Sequence, residues 1–221
     1  MNGPPPSVPL EVKVWGKMAC FTRPENKVER VSYAVMTPSA ARGVLEAIFW
    51  KPEFHYRVRR ISVLAPIRYT ALLRNEVTSK ASIGSKGISI TDDRAQRHSL
   101  VLSSGGLGDL GYLIHADVVL RNGVTEHPAK YRDQFRRRVE RGQCYYRPYL
   151  GCREFSCDFA VPSGTEQSIA ENRDLGLMLF DIAFGRQPGR SNVPLFFEAQ
   201  LQNGVLEVPD SMYESLEALK Q

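Results

Sequence analysis

The sequence predicts an α+β fold: an antiparallel sheet with two helices on one face, an inserted hairpin, and a small antiparallel sheet at the C-terminal end. Three observations carry this expectation. Apolar residues alternate with period two in several runs, the first around Leu10, Val12 and Val14. Two stretches of helical spacing, near 37–48 and 128–141, separate those runs. An Asn203-Gly204 pair between two late apolar runs is the strongest short-range hairpin signal.

Taken in order, Leu10, Val12 and Val14 alternate with Glu11, Lys13 and Trp15, the pattern of a half-buried strand. A loop with Pro24, Lys27 and Arg30 follows. Thr37-Pro38 then opens a helix, with Thr37 as N-cap and Pro38 at the first helical position. Ala41, Val44, Leu45 and Ile48 share one face, and Arg42, Glu46 and Phe49 share a flank. The helix must stop before Pro52, because the residue preceding a proline avoids helical backbone. Residues 57–73 place Ile61, Val63, Ala65 and Ile67 on one strand face. Residues 74–110 are irregular and rich in Ser, Gly, Arg and Lys, and are expected to hold a projecting hairpin with arms at 74–80 and 98–102. A strand over 112–121 turns Tyr112, Ile114, Ala116, Val118 and Leu120 inward. Pro128 opens a second helix to about residue 141, and a strand over 155–161 closes the unit.

The order is β-α-β-(hairpin)-β-α-β, the ferredoxin-like layout shared with RNA-recognition modules. It predicts a first domain over 1–164. From residue 165 the character changes, and strands at 195–201 and 205–208 form a C-terminal subdomain over 165–221. Layout alone does not assign function.

Composition bounds the function classes. The chain has 221 residues, 43% hydrophobic and 24% charged, with net charge +5 and pI near 9.1. Arginine supplies most of the basic excess and suits planar contacts to phosphate and stacking on bases. No apolar run is long enough to span a bilayer, and the start MNGPPPSVPL lacks the basic and apolar regions of a secretion signal. Cys20, Cys144, Cys152 and Cys157 form no C-x-x-C pair and fit free thiols in a reducing compartment, so a cytoplasmic protein with no membrane partner is expected.

Residues 106–111 read Gly-Leu-Gly-Asp-Leu-Gly, a G-x-G-x-x-G match. A dinucleotide site needs a helix next, to hold the pyrophosphate at its N-terminus. The run YLIHADVVL that follows alternates like a strand, so no cofactor is expected. The second helix is more telling. Tyr131, Phe135 and Val139 make its apolar stripe, while Lys130, Arg137 and Arg141 make a basic one. Such a stripe suits an RNA backbone as well as it suits an ordinary solvated face. The loop FTRPENKVERVSY interleaves Arg23, Lys27 and Arg30 with Phe21 and Tyr33, a mixture that serves phosphates and splayed bases together.

His55, His98, His115 and His127 are scattered, and neither a two-metal carboxylate cluster nor a serine nucleophile elbow is present. A nuclease of this composition is expected to cut RNA without metal. The substrate's own 2′-hydroxyl attacks the adjacent phosphate, and the protein supplies a base, an acid and a cation.

The run VWGKMACFTRPENKVERVSYAVMTPSAARGVLEAIFWKP resembles the N-terminal signature of the CRISPR-associated Cas "five" family in its type I-C form, the Dvulg subtype. The resemblance continues through RRISVLAPIRYTALLRNEV, the RAQR segment and YLGCREF. It implies a RAMP-type ferredoxin-like domain and a metal-independent endoribonuclease. That enzyme cuts CRISPR repeat RNA at the base of its hairpin, then stays on the guide-RNA 5′ handle with the other subunits of the surveillance complex. The family's tyrosine, in a Tyr-Trp-Lys-Pro stretch, falls on Phe49, and its adjacent lysine and histidine fall on Lys130 and Tyr131. The resemblance therefore points to Lys130 and Tyr131 as the cleaving residues, with His127 one turn earlier as a stand-in. The loop, the basic stripe and the resembling segments together offer Arg23, Lys27, Arg30, Arg42, Trp50, Lys51, Arg74, Arg97, Arg137 and Arg141 as expected RNA contacts. Because Phe49 cannot exchange a proton, a handle-binding subunit without cutting activity is the alternative. A protein that binds double-stranded DNA is a further one.

Overall fold

The chain runs β1 (Ser7–Gly16), β2 (Met18–Ala19), α1 (Pro38–Ile48), β3 (Phe54–Val63), β4 (Tyr69–Glu76), β5 (Ala95–Ser103), β6 (Leu110–Leu120), α2 (Ala129–Glu140), β7 (Asp158–Ala160), β8 (Arg173–Ala183), β9 (Val193–Gln202), β10 (Val205–Glu207) and α3 (Asp210–Lys220). This computed structural model describes residues 7–26, 28–80, 82–84, 86–89, 91, 94–106, 108–184 and 192–220.

A seven-stranded sheet has the order β7-β1-β6-β3-β10-β9-β8, with antiparallel pairing throughout. Its first four strands are the ferredoxin-like arrangement that the element order predicts. In β1, Leu10, Val12 and Val14 are buried and Glu11 is exposed, as the alternation requires. In β6 the whole expected inward set, Tyr112, Ile114, Ala116, Val118 and Leu120, is buried. The apolar faces of α1 and α2 close on this surface in one continuous core. Each fully buried Leu, Ile, Val or Phe there contributes roughly 1.5–3 kcal/mol of transfer free energy.

Local chemistry sets α1. Thr37 has extended backbone, and its hydroxyl accepts from the Ala40 N–H at 3.3 Å, while Pro38 sits inside the first turn. Phe49 returns to extended backbone and ends the helix three residues before Pro52.

The structure corrects the strand expected over 57–73. β3 ends at Val63, and the chain turns through Ala65-Pro66 into β4, which belongs to a second sheet of order β2-β5-β4. Ile61 and Val63 are core residues, whereas Ala65 and Ile67 lie in the connection. The inserted hairpin is real, but its arms are Tyr69–Glu76 and Ala95–Ser103. The strand expected over 155–161 is reduced to Asp158–Ala160.

The C-terminal strands β8, β9 and β10 form an antiparallel unit. Residues 161–172 separate it from the ferredoxin-like strands in sequence, yet β10 joins both sets into one hydrogen-bonded sheet. The Asn203-Gly204 turn sits between β9 and β10 with positive φ at both residues (48° and 73°). A side chain at Gly204 would meet the Ile169 carbonyl oxygen at 2.3 Å, so only glycine fits there. The seam between the halves is also polar. Arg42 of α1 donates to Asp181 of β8 at 2.8 Å, and the Leu179 N–H donates to the Tyr33 hydroxyl at 3.1 Å. α3 completes the seam, with the Tyr213 hydroxyl on the Val58 carbonyl and its ring edge-on to Phe180. Among the described residues no helix is long and apolar enough to cross a membrane.

Candidate functional site

The start of α2 concentrates the chemistry. Tyr131, Phe135 and Val139 are buried and anchor this helix on the core. Lys130 precedes the first anchor and so lies at the rim, its side chain 55% exposed. The preceding turn brings back Glu126. One of its carboxylate oxygens accepts from Lys130 Nζ at 2.6 Å, and the other accepts from the Tyr131 hydroxyl at 2.6 Å. A cation and a phenol thus converge on one anion. The carboxylate is held below its ordinary range by the bond from Lys130 first and Tyr131 second, with Lys51 adding to the same field. The phenol moves the other way, pushed up to about 12, chiefly because it donates to Glu126. The carboxylate between them therefore raises the phenol although a cation lies beside the ring.

His127 is exposed one turn earlier, and its Nδ1 accepts from the Ala129 N–H at 3.2 Å. The ring thereby satisfies a donor that the helix start leaves open. Because Nδ1 accepts, the neutral ring carries its proton on Nε2.

The end of α1 meets this site through aromatic rings. Phe49 is buried and packs on Phe54 at 5.6 Å, and Phe54 packs on Tyr131 at 5.0 Å. Arg138 of α2 donates to the Ile48 carbonyl at 3.1 Å and lies 5.8 Å from the Phe49 ring. Trp50 is half exposed and Lys51 follows it, so the Phe49-Trp50-Lys51 stretch and the Lys130-Tyr131 pair border one region.

The remaining basic candidates divide into two groups. Arg137 and Arg141 are exposed on the outer side of α2, with no carboxylate partner among the described residues. The others are engaged. Arg42 is held by Glu46 and Asp181. Arg30 and Arg74 share Glu154, and Arg74 and Arg97 share Glu76. Arg23 pairs with Glu25 and lies 4.4 Å from the Tyr33 ring. Lys27 falls outside the described residues. Glu126 is the residue of this cluster that sequence reasoning misses. Its i,i+4 spacing to Lys130 is a visible signal, but its hold on Tyr131 is not.

The G-x-G-x-x-G segment leads into β6 at Leu110 and so offers no helix N-terminus for a pyrophosphate. Among the described residues no three His, Cys, Asp or Glu side chains converge as metal ligands would.

Comparison with known proteins agrees with this architecture. A family model described as CRISPR-associated protein (Cas_Cas5) matches residues 9–209. A Thermus thermophilus protein named CRISPR pre-crRNA endoribonuclease Cas5d is 50% identical, over 96% of this chain and 96% of its own length. A Mannheimia succiniciproducens protein of the same name is 42% identical, over 90% and 94%. Among solved structures, one titled as a CRISPR-associated protein superposes with a TM-score of 0.67 at 25% identity, covering 94% of this chain and 95% of that one. A Streptococcus mutans protein described as functionally uncharacterized shares the fold, at TM-score 0.67 and 20% identity, covering 96% and 97%.

Proposed function

The chain belongs to the CRISPR-associated Cas5 family in its Cas5d form, and from that premise we propose that it is a pre-crRNA endoribonuclease. One observation carries the proposal to particular residues: Lys130 Nζ and the Tyr131 hydroxyl converge on a single anion. A phosphodiester offers two non-bridging oxygens in place of the two oxygens of Glu126. When RNA enters, its scissile phosphate takes over these donors and Glu126 gives way.

The chemistry then needs no covalent enzyme intermediate. The 2′-oxygen attacks phosphorus, the bond from phosphorus to the 5′-oxygen breaks, and a 2′,3′-cyclic phosphate and a 5′-hydroxyl result. Lys130 neutralises the charge that grows on the phosphorane. Tyr131, still protonated at neutral pH, acts as a hydrogen-bond donor and acid toward the reacting oxygens rather than as a base. His127, with its exposed Nε2, stands one turn away as the second group that can move a proton. Arg137, Arg141, Trp50 and Lys51 are the surface that follows the RNA strand on either side. We read the protein as a cytoplasmic subunit that keeps the 5′ handle of the cut guide RNA within a type I-C surveillance complex.

A second reading has its own support. Phe49 is buried and carries no hydroxyl, so the first helix brings no proton-exchanging group to the site. This favours a subunit that binds the handle without cutting. One experiment separates the two. The purified chain is incubated in EDTA with labelled repeat RNA, beside a copy carrying a 2′-deoxy nucleotide at the mapped cut. A single cut that the deoxy nucleotide blocks is expected. Tight, repeat-specific binding with no cut assigns the handle-binding role instead.

A further inference from the structure

Two cysteines separated by 131 intervening residues come together beside β2. Cys20 is buried, and Cys152 lies partly exposed on the loop that crosses it. The Thr22 hydroxyl stands 3.5 Å from the Cys20 sulfur and 3.8 Å from the Cys152 sulfur. Arg30 Nη1 donates to the Cys152 sulfur at 3.3 Å. The Cys20 N–H donates to the Leu150 carbonyl at 3.0 Å, and the Cys152 thiol, while protonated, donates to the Cys20 carbonyl at 3.4 Å. This close crossing depends on Gly151, where φ is 84° and a side chain would meet the Cys20 carbonyl oxygen at 2.1 Å. A guanidinium, a hydroxyl and a second cysteine therefore surround the sulfur of a partly exposed residue, the environment that turns a thiol into a nucleophile.

We propose that Cys152 and Cys20 form a peroxide-reactive thiol pair, with Cys152 as the attacking thiolate and Cys20 as the resolving thiol. In the first step the Cys152 thiolate attacks hydrogen peroxide. An S–O bond forms, the O–O bond breaks, and hydroxide leaves and takes up a proton as water. The sulfur loses two electrons to the peroxide and becomes a sulfenic acid. In the second step Cys20 gives up its proton and attacks the Cys152 sulfur. The S–S bond forms, the S–O bond breaks, and a second water departs. The electrostatics agree with these roles. Cys152 is pulled below the ordinary thiol range, first by the hydrogen bond from Cys20 and then by Thr22 and Arg30, while Cys20 is pushed up chiefly by the same bond to Cys152. Oxidation of Cys152 removes the negative charge that holds the Cys20 proton, so the resolving thiol is released when it is needed. Cys157 provides a built-in contrast: it is buried and pushed up to about 12 by that burial.

The test begins with the unaltered chain. Under non-reducing conditions a slight excess of hydrogen peroxide is added at neutral pH, and intact mass and peptide maps are recorded. A loss of two hydrogens with a cross-linked peptide pair containing Cys20 and Cys152 is expected. Brief alkylation with iodoacetamide should mark Cys152 about tenfold or more faster than the buried Cys157, whose thiol is pushed up to about 12. In Cys20→Ser the reaction stops at a sulfenic acid on Cys152 that dimedone traps, and Cys152→Ser gives neither product. The proposal is overturned if peroxide and iodoacetamide act first on Cys144 or Cys157 in the unaltered native chain. It is equally overturned if Cys152 reacts no faster native than in denaturant.

Discussion

Replacing Glu126 by Gln tests most directly how the site handles an anion. In the native protein the Lys130 charge is offset by a carboxylate 2.6 Å away, and the Tyr131 phenol donates to the other oxygen at 2.6 Å. The local charge of this trio is zero. In Glu126→Gln it becomes +1, and no internal anion competes with phosphate. Single-stranded nucleic acid gains about 0.7 in the slope of log affinity against log salt for each phosphate neutralised. One added contact over a fourfold salt change, from about 50 to about 200 mM, therefore adds a loss of roughly 2.5-fold to that of the native chain. The variant binds more tightly at the low end by a similar factor. The assay is fluorescence anisotropy with repeat RNA made uncleavable by a 2′-deoxy nucleotide, read at three salt concentrations. An unchanged slope, in a variant whose melting temperature is also unchanged, refutes the idea that Glu126 occupies the phosphate position. It would leave Glu126 as a tie between helix start and turn.

Lys130→Ala should lower single-turnover cutting by roughly 10²–10³-fold, the usual cost of losing one transition-state charge donor. Binding should persist, and unchanged cutting would remove Lys130 from the mechanism. Tyr131 predicts a pH profile. Its phenol is pushed up to about 12 by Glu126 in the free chain and remains a weak acid when phosphate replaces that carboxylate, so a donor role keeps the group's contribution level from about pH 6 to about pH 9. A phenolate base would instead raise the rate about tenfold per pH unit across that window. A log-linear rise that disappears in Tyr131→Phe would therefore contradict the donor role. Asp181→Ala probes the seam. Asp181 is 7% exposed and accepts from Arg42 and from the Ile182 N–H, both at 2.8 Å. Its loss leaves Arg42 to Glu46 alone, at a cost of about 2–3 kcal/mol once the partial exposure of Arg42 is allowed for. With about 2–4 °C per kcal/mol for a chain of this size, the melting temperature should fall by about 4–12 °C. A melting curve that does not move would show that the pair is not what joins α1 to β8.

Features whose cause lies within a few residues were legible in the sequence. Thr37-Pro38 starts a helix and Asn203-Gly204 closes a hairpin because the deciding atoms are neighbours in the chain. The break between β3 and β4 was harder to see, since the apolar alternation of Ile61 and Val63 continues through Ala65 and Ile67 while the backbone turns. β8 escaped notice because bulges between Asp174 and Gly176 and between Leu179 and Asp181 disrupt its period. α3 was missed although Asp210 follows Pro209 at its start and Tyr213 and Leu216 face inward at helical spacing. At the site, the basic stripe of α2 could be read from spacing, and Lys130 with Tyr131 from the family resemblance. The restraints on the other arginines could not: Arg42 meets Asp181 across 139 positions, and Arg30 meets Glu154 across 124. Charge read along a chain counts donors without showing which are already held.

The three residues of β10 also settle how this protein keeps to itself. β3 is ten residues long, and without β10 one whole side of it would present bare amides and carbonyls, a template on which a strand of another molecule could zip. Val205, Leu206 and Glu207 cover Ser62, Ile61 and Arg60, and the Val208 N–H extends the cover to the Arg59 carbonyl. Beyond that point charge takes over: Arg57 and Arg59 are clasped by Glu217 and Asp210 of α3. The tight Asn203-Gly204 turn makes this guard a hairpin of the same chain, too short to open and exchange with a neighbour. A chain cut before Val205 would lose the guard and the charged clasp together. Its first failure would be self-association along β3, well before any loss of the residues proposed to meet RNA.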